Sequence, residues 1–179
     1  MEFQKVIESR RSIRKYDAEK KVSEEQIREM IQAAIYAPSW KNSQTARYYC
    51  VLSQDMIEKV RTECLPEFNG NNVEGASALI VTAVVKNRSG YERSGEPTNE
   101  LGNGWGVYDL GLANENLLLK AAEMGIGTLV MGIRDEKKLH EILRIPEEQM
   151  VVSVIGVGYG TVSPDMPKRK SVEDVAVIC

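Results

Sequence analysis

Apolar side chains at three- and four-residue spacing predict several helices along the chain. The clearest pattern covers residues 24–35, whose apolar positions share one helical face. Ser23 and Gln26 have the form of a capping box at its start, and Pro38 follows its end. The same spacing predicts helices over residues 2–9, 55–64 and 105–124, and one that begins after Asp135 and ends before Pro146.

Short apolar runs predict the strands. Residues 78–85 (ALIVTAVV) are almost wholly apolar, which is typical of a strand buried on both faces of a sheet. Residues 86–104 are polar and rich in glycine, so we expect a loop there. Helices and strands do not alternate strictly, which favours a layered α+β fold of one domain over residues 1–179. Further strands are predicted over residues 48–52, 127–132, 151–157 and 175–178.

The overall charge argues against a general nucleic-acid binder. The 26 acidic residues outnumber the 23 lysines and arginines, whereas such proteins need a broad basic face. The apolar runs are too short to span a bilayer, and the first residues do not resemble a signal peptide. Three cysteines at irregular spacing fit no metal or redox motif. We therefore expect a cytoplasmic protein with reduced thiols, bound to neither membrane nor nucleic acid.

Side chains that could carry catalysis on their own are scarce. The common phosphate-binding glycine motifs are absent from the sequence, and the single histidine, His140, excludes a multi-histidine metal site. We expect no metal site and no catalytic side chain. If the protein is an enzyme, a cofactor supplies the chemistry while the chain supplies binding and electrostatics.

A basic cluster stands out against the acidic chain. Arg10, Arg11, Arg14 and Lys15 lie within six positions, and a second basic run covers residues 168–170. Such clusters are most often solvated surfaces, but guanidinium groups also bind phosphate through paired hydrogen bonds. If the backbone stays helical here, Arg10 and Arg14 lie one turn apart and face inward, with Lys15 in solvent.

Four segments taken together resemble the flavin-dependent nitroreductase family. They are RRSIRKY at residues 10–16, APSWKNSQ at 37–44, DLGLANENLLLKAAEMGIGT at 109–128, and PKRKSVEDV at 167–175. The resemblance implies a three-layer α/β/α sandwich with a mixed, mostly antiparallel sheet. It also implies a homodimer that holds FMN at the subunit interface.

The resemblance further implies which residues contact FMN. At the phosphate and the ribityl–pyrimidine side these are Arg10, Arg11, Ser12 and Arg14, joined at the phosphate by Lys168 and Arg169. Pro38, Ser39, Trp40 and Asn42 match the segment that the partner subunit places against the ring. Asn69 corresponds to an asparagine near the pyrimidine edge, and Met131 and Gly132 to the strand end beside flavin N5.

The implied reaction is a ping-pong exchange in which NADH or NADPH reduces FMN and leaves. A nitroaromatic, a quinone or a similar small-molecule acceptor then takes the electrons. Trp40 and the Thr45-Ala46-Arg47 sequence depart from the family's common pattern, which affects the acceptor more than the flavin. The alternatives are a dehalogenase-like or flavin-consuming enzyme on this scaffold, a non-catalytic flavin-binding protein, and a dimeric module whose basic clusters meet acidic partners.

Overall fold

Four antiparallel strands form one sheet in the computed structural model, which describes residues 2–179. Their spatial order is β1-β2-β4-β3, so β1 and β3 are the two edges. Among the described residues the only parallel pairing is an isolated bridge between Ser12 and Thr128. The strands are β1 (Ala46–Val51), β2 (Ala78–Val85), β3 (Gly127–Met131) and β4 (Gln149–Gly158).

Helices cover both faces of the sheet and confirm the expected α+β sandwich. Successive side chains of a strand point to opposite faces, and β2 follows this rule with a core on each side. Leu79 and Val81 pack into one apolar cluster, while Ile80 packs into the other. The first cluster takes residues from α3 (Gln54–Glu63) and α6 (Glu136–Leu143), beside α4 (Glu67–Asn72). The second takes residues from α2 (Glu24–Ile35) and α5 (Gly104–Glu123).

The predicted start of α2 is confirmed atom by atom. The Ser23 hydroxyl accepts a hydrogen bond from the Gln26 N–H at 3.2 Å, and the Gln26 side chain accepts one from the Ser23 N–H at 2.9 Å. The helix ends at Ile35, three residues before Pro38. A capping box satisfies helix-end N–H groups that nothing else in the helix can reach.

Two predicted elements are wrong, and two were missed, namely α4 and a short 3-10 helix at Trp40–Asn42. Residues 175–178 form no strand, because no neighbouring strand pairs with them, and Val177 is 91% exposed. Helix α1 (Phe3–Ser9) ends before Arg10, so the expected helical turn from Arg10 to Arg14 does not form. Helix α4 (EFNGNN) has no apolar periodicity to reveal it. The other helices and strands agree with the predictions to within two residues.

Among the helices of residues 2–179, none combines the length and the apolar character that crossing a bilayer requires. The described part of the chain also contains no cluster of three or more histidine, cysteine or acidic residues placed to hold a metal ion. The three cysteines are free thiols.

Candidate functional site

The segment that carries the basic cluster is anchored against the start of β3. The Ile13 N–H donates to the Thr128 carbonyl at 2.9 Å, and the Ile13 side chain covers Gly127 so closely that a Cβ there would lie 2.7 Å from it. The Tyr16 hydroxyl donates to the carbonyls of Ile13, at 2.9 Å, and Gly156, at 3.3 Å. Burial raises the pKa of the Tyr16 phenol above its ordinary value, so the group stays a neutral donor. Sheet contacts therefore fix this segment.

The arginines of the cluster have different surroundings. The Arg10 Nε lies 3.8 Å from a Glu115 carboxylate oxygen, and only 22% of the Arg10 side chain is exposed. Arg11 donates from Nη1 to the carbonyls of Glu8, at 2.7 Å, and Arg10, at 2.8 Å, while its Nε is buried without a partner. Arg14 is exposed, and its Nη1 lies 3.4 Å from the Ser12 carbonyl. Arg10 and Arg11, rather than Arg14, are thus the partly buried cations of this cluster.

A cavity of about 210 Å³ lies beside these two arginines. Besides Arg10 and Arg11, it is bordered by the turn and strand that follow α5, including Gly125, Gly127 and Thr128. The start of the C-terminal tail closes one side through Ser163 and Pro164. The cavity therefore combines two guanidinium groups with a glycine-rich backbone, which is a suitable environment for a small anion.

A second group of predicted residues meets at the other end of β3. Asn69, only 6% exposed, donates from its side-chain amide to the Ile133 carbonyl at 3.0 Å. Met131, at 2% exposure, ends β3, and Gly132 after it has open space around the position of a Cβ. Thr128 and Gly132 are four positions apart along extended backbone, which corresponds to roughly 13 Å. The structure thus places two groups of predicted residues at the two ends of the edge strand β3. Residues 10–12 lie at its start, and Asn69, Met131 and Gly132 lie at its end.

The third predicted group, residues 39–44, lies at the N-terminal end of α5. The Trp40 N–H donates to Oδ2 of Asp109 at 2.9 Å, and the Ser39 hydroxyl accepts from the Gln44 N–H at 3.1 Å. Lys41, Asn42 and Gln44 have positive φ angles of 46°, 54° and 49°. Each left-handed non-glycine residue costs about 1 kcal/mol or more, so specific contacts must hold this loop.

Aromatic rings continue from this loop onto α5. The ring centroids of Trp40 and Trp105 lie 4.7 Å apart with a 49° tilt, and Tyr108 meets Trp105 edge to face at 5.8 Å. The Trp105 Nε1 donates to the Asn99 side chain at 2.9 Å, whereas the Trp40 Nε1 is buried without a partner. The Lys41 amine lies 5.8 Å from the Trp40 ring centroid and 3.4 Å from Glu92.

Within one chain, the loop does not meet the basic cluster. Asp109, which binds the loop, lies in the second turn of α5, whereas Ala122 near its C-terminal end borders the cavity beside Arg10. Thirteen residues of helix span roughly 20 Å. Lys168 and Arg169 lie in the exposed tail, where the Arg169 Nη1 donates to the Pro167 carbonyl at 3.4 Å. Pro38 is exposed beside Ser39 at the start of the loop.

Two acidic residues of α5 are absent from the sequence-based site. Glu115 is the ionic neighbour of Arg10, and Asp109 joins the Trp40 backbone to the Ser89 hydroxyl at 2.5 Å. Asp109 did leave a signal, because it is a lone carboxylate in the mostly apolar sequence WGVYDLGLA. An acid in such a position is either exposed on one face of the helix or buried with polar partners.

Known proteins resemble this chain in both sequence and fold. The family model described as the nitroreductase family matches residues 7–77 and 65–159. A protein of Archaeoglobus fulgidus with the provisional name NADH dehydrogenase/NAD(P)H nitroreductase is 36% identical over 159 residues, covering 87% of this chain and 83% of that protein.

Solved structures of other proteins share the fold of this chain. A nitroreductase family protein from Clostridium novyi NT has a TM-score of 0.78 and 26% identity, covering 93% of this chain and 89% of its own. A provisionally described nitroreductase from Exiguobacterium sibiricum, solved in complex with FMN, shares the fold with a TM-score of 0.87 at 22% identity, covering 100% and 98% of the two chains. The family match spans most of the chain, and the chain therefore belongs to the nitroreductase family of oxidoreductases.

Proposed function

We propose that this protein is an FMN-dependent oxidoreductase that takes electrons from NADH or NADPH and passes them to small organic acceptors. The observation that carries the proposal is the placement of Arg10, Arg11 and Ser12 at one end of β3 and of Asn69, Met131 and Gly132 at the other. FMN is an elongated molecule with a phosphate at one end and a planar ring at the other. An edge strand with cations at one end and amides at the other suits it.

The residues at the start of β3 fit a phosphate. The cavity beside Arg10 and Arg11 holds about 210 Å³, and the buried Arg11 Nε has no partner within the described residues. Buried donors in folded proteins nearly always find an acceptor, and a phosphate oxygen would supply one. In this proposal Arg10 and Arg11 bind the phosphate, with Ser12 and the exposed Arg14 toward the ribityl–pyrimidine side.

The residues at the end of β3 fit the ring. The Asn69 amide uses one N–H for the Ile133 carbonyl and has a second N–H and an oxygen for a heterocycle edge. The open backbone at Gly132 allows a planar group to approach without meeting a side chain. FMN, when bound, supplies the chemistry of hydride acceptance and electron transfer at N5. The chain binds and orients it, and its arginines stabilise negative charge nearby.

We further propose that a second copy of the chain completes the site. The loop that begins at Pro38 lies too far from the basic cluster of its own chain to share its FMN. In this proposal it contacts the flavin ring bound by the partner subunit, through Pro38, Ser39, Trp40 and Asn42. Exposed apolar side chains suit such an interface: Tyr108 on α5 is 60% exposed, and Ile178 in the tail is 90% exposed. Lys168 and Arg169 would reach a phosphate when the tail packs in the dimer.

The acceptors in this proposal are nitroaromatics, quinones or similar compounds, reduced by a ping-pong mechanism. The cytoplasm is the proposed location, since it supplies NADH and NADPH and since all three cysteines are free thiols.

The test is to purify the protein with FMN and to mix it anaerobically with NADH and with NADPH. We expect stoichiometric flavin, loss of the oxidised flavin absorbance with at least one donor, and its return when a nitro compound or a quinone is added. Sedimentation should give a dimer. Protein that retains no FMN would contradict the flavin site, and retained FMN that neither donor reduces would contradict the enzymatic function.

A further inference from the structure

We propose that Asp109 is a positioning residue, which fixes the Ser39–Trp40 segment and the 86–104 loop in one arrangement. This inference rests on the proposed function, because that segment is the part of the chain proposed to meet the flavin of the partner subunit. In the 86–104 loop, the Ser89 hydroxyl donates to the Asp109 carboxylate. The Asn99 side chain of the same loop accepts a hydrogen bond from Trp105, which contacts Trp40.

The Asp109 carboxylate is buried and has no cation partner. Only 6% of Asp109 is exposed, and no lysine, arginine or histidine of residues 2–179 forms an ion pair with it. Its Oδ2 accepts two hydrogen bonds, from the Trp40 N–H at 2.9 Å and from the Ser89 hydroxyl at 2.5 Å. Burying a carboxylate is unfavourable in free energy unless hydrogen bonds compensate for the lost water. The Trp40 N–H and the Ser89 hydroxyl must therefore stay within hydrogen-bond distance of Asp109.

The loop of residues 39–44 has few other restraints. Three of its residues are left-handed, and a strained backbone persists only where its surroundings hold it. Apart from short-range bonds such as that from Gln44 to Ser39, its polar and aromatic contacts with the rest of the described chain are the Asp109 bond, the Trp40–Trp105 contact and the exposed Lys41–Glu92 pair. An exposed ion pair contributes little. The position of the Trp40 backbone therefore depends mainly on Asp109.

This position sets the geometry of the two tryptophans. Trp105 belongs to α5, four residues before Asp109, so helix and carboxylate form one rigid unit. Gly90 confines the Trp105 ring from the other side, since a Cβ there would lie 2.5 Å from Trp105 Cδ1. Trp40 belongs to the separate 39–44 loop, and its backbone bond to Asp109 holds the two ring centroids 4.7 Å apart. These two are the only tryptophans in the chain, so the part of their optical coupling that Trp40→Phe removes reports this contact.

The experiment compares Asp109→Ala and Asp109→Asn with the wild-type full-length chain. The first readout is the far-ultraviolet circular dichroism couplet of the tryptophan pair, with Trp40→Phe as the reference for an uncoupled ring. We expect Asp109→Ala to lose at least half of the couplet and to weaken FMN binding about tenfold. Asp109→Asn keeps an oxygen acceptor of the same shape, so it should restore most of the couplet and part of the affinity.

The control is Glu25→Gln, which neutralises an exposed carboxylate on α2, outside the proposed flavin site, and should change neither readout. A purely structural role predicts lower stability with an unchanged couplet and unchanged FMN affinity in folded protein, and that result would overturn the proposal. A lost couplet with unchanged FMN affinity would also overturn it. If Asp109→Ala does not fold, Asp109→Leu replaces it, because leucine has a similar shape without an acceptor for the Trp40 N–H. Wild-type values for both readouts in that variant would contradict positioning. Failure of the wild type to bind FMN would contradict the proposed function, while the couplet still shows whether Asp109 positions Trp40.

Discussion

The two polar segments proposed to face FMN are held in different ways. Residues 10–16 are fixed by backbone bonds to the sheet and by the buried side chains of Ile13 and Tyr16. Residues 39–44 are fixed by the polar side chains of Asp109 and Ser39, against the strain of three left-handed residues. The first segment therefore depends on the core, and the second depends on a few hydrogen bonds.

The largest expected effect comes from the core of the first segment. Tyr16 is 7% exposed, and Tyr16→Ala should lower the free energy of unfolding by about 3–5 kcal/mol, because a large buried ring and two hydrogen bonds are lost. Urea titration measures it. Tyr36→Ala is the matched control, since Tyr36 is 77% exposed and should change stability by less than about 0.5 kcal/mol. A loss below about 1 kcal/mol in Tyr16→Ala would contradict the conclusion that residues 10–16 depend on the core.

The second effect separates binding from stability within the same segment. Arg10→Ala should weaken FMN binding by about 1.5–3 kcal/mol, because a charged partner is lost from a partly buried phosphate contact. Equilibrium titration of the flavin-free protein measures the affinity. Lys15→Ala removes an exposed cation five residues away and should leave the affinity unchanged. Equal losses in the two variants would mean that only the general positive charge matters.

The third effect tests the hydrogen bonds of the second segment. Ser39→Ala removes the acceptor of the Gln44 N–H and should lower the free energy of unfolding by about 1 kcal/mol. The neighbouring Ser43→Ala is its control, because the Ser43 hydroxyl is buried without a partner and its removal should be neutral or stabilising. Urea titration measures both variants. A larger loss of stability in Ser43→Ala than in Ser39→Ala would show that side-chain hydrogen bonds do not hold this loop.

The smallest effect concerns backbone strain. Gln44 has a φ of 49°, so Gln44→Gly should be more stable than Gln44→Ala by up to about 1 kcal/mol. Lys15 has no positive φ, and there the order should reverse, with the alanine variant the more stable. Thermal unfolding of the four variants measures both differences. The same order at both positions would contradict the assignment of backbone strain to Gln44.

Local patterns predicted the parts of the fold that local physics decides. The capping box at Ser23 and Gln26 and the buried run of β2 depend on neighbours in sequence, and both are confirmed. The helical turn through Arg10 was wrong because the Ile13 backbone pairs with Thr128, a residue far away in sequence. The strand over residues 175–178 was wrong because an apolar run needs a pairing partner as well as its own propensity.

The candidate site divides in the same way. Arg10, Arg11 and Ser12 were predicted as one group and lie together at the start of β3, since they are adjacent in the chain. The sequence could not show that the chain places Asn69 beside Ile133, or residues 39–44 far from the basic cluster, because packing decides both. Asp109 was missed because its two donors come from separate loops and only the fold brings them together.

The C-terminal tail has a consequence for how this protein can change over generations. Residues 165–179 are all exposed, and the hydrogen bonds described for them stay within the segment. Substitutions there leave the packing of the described domain untouched, so natural selection on these residues acts through whatever they touch outside their own chain. Where relatives have changed that external contact, the amino-acid sequence of the tail should diverge faster than that of β2. Where they have kept the contact, the two sequences should diverge equally slowly.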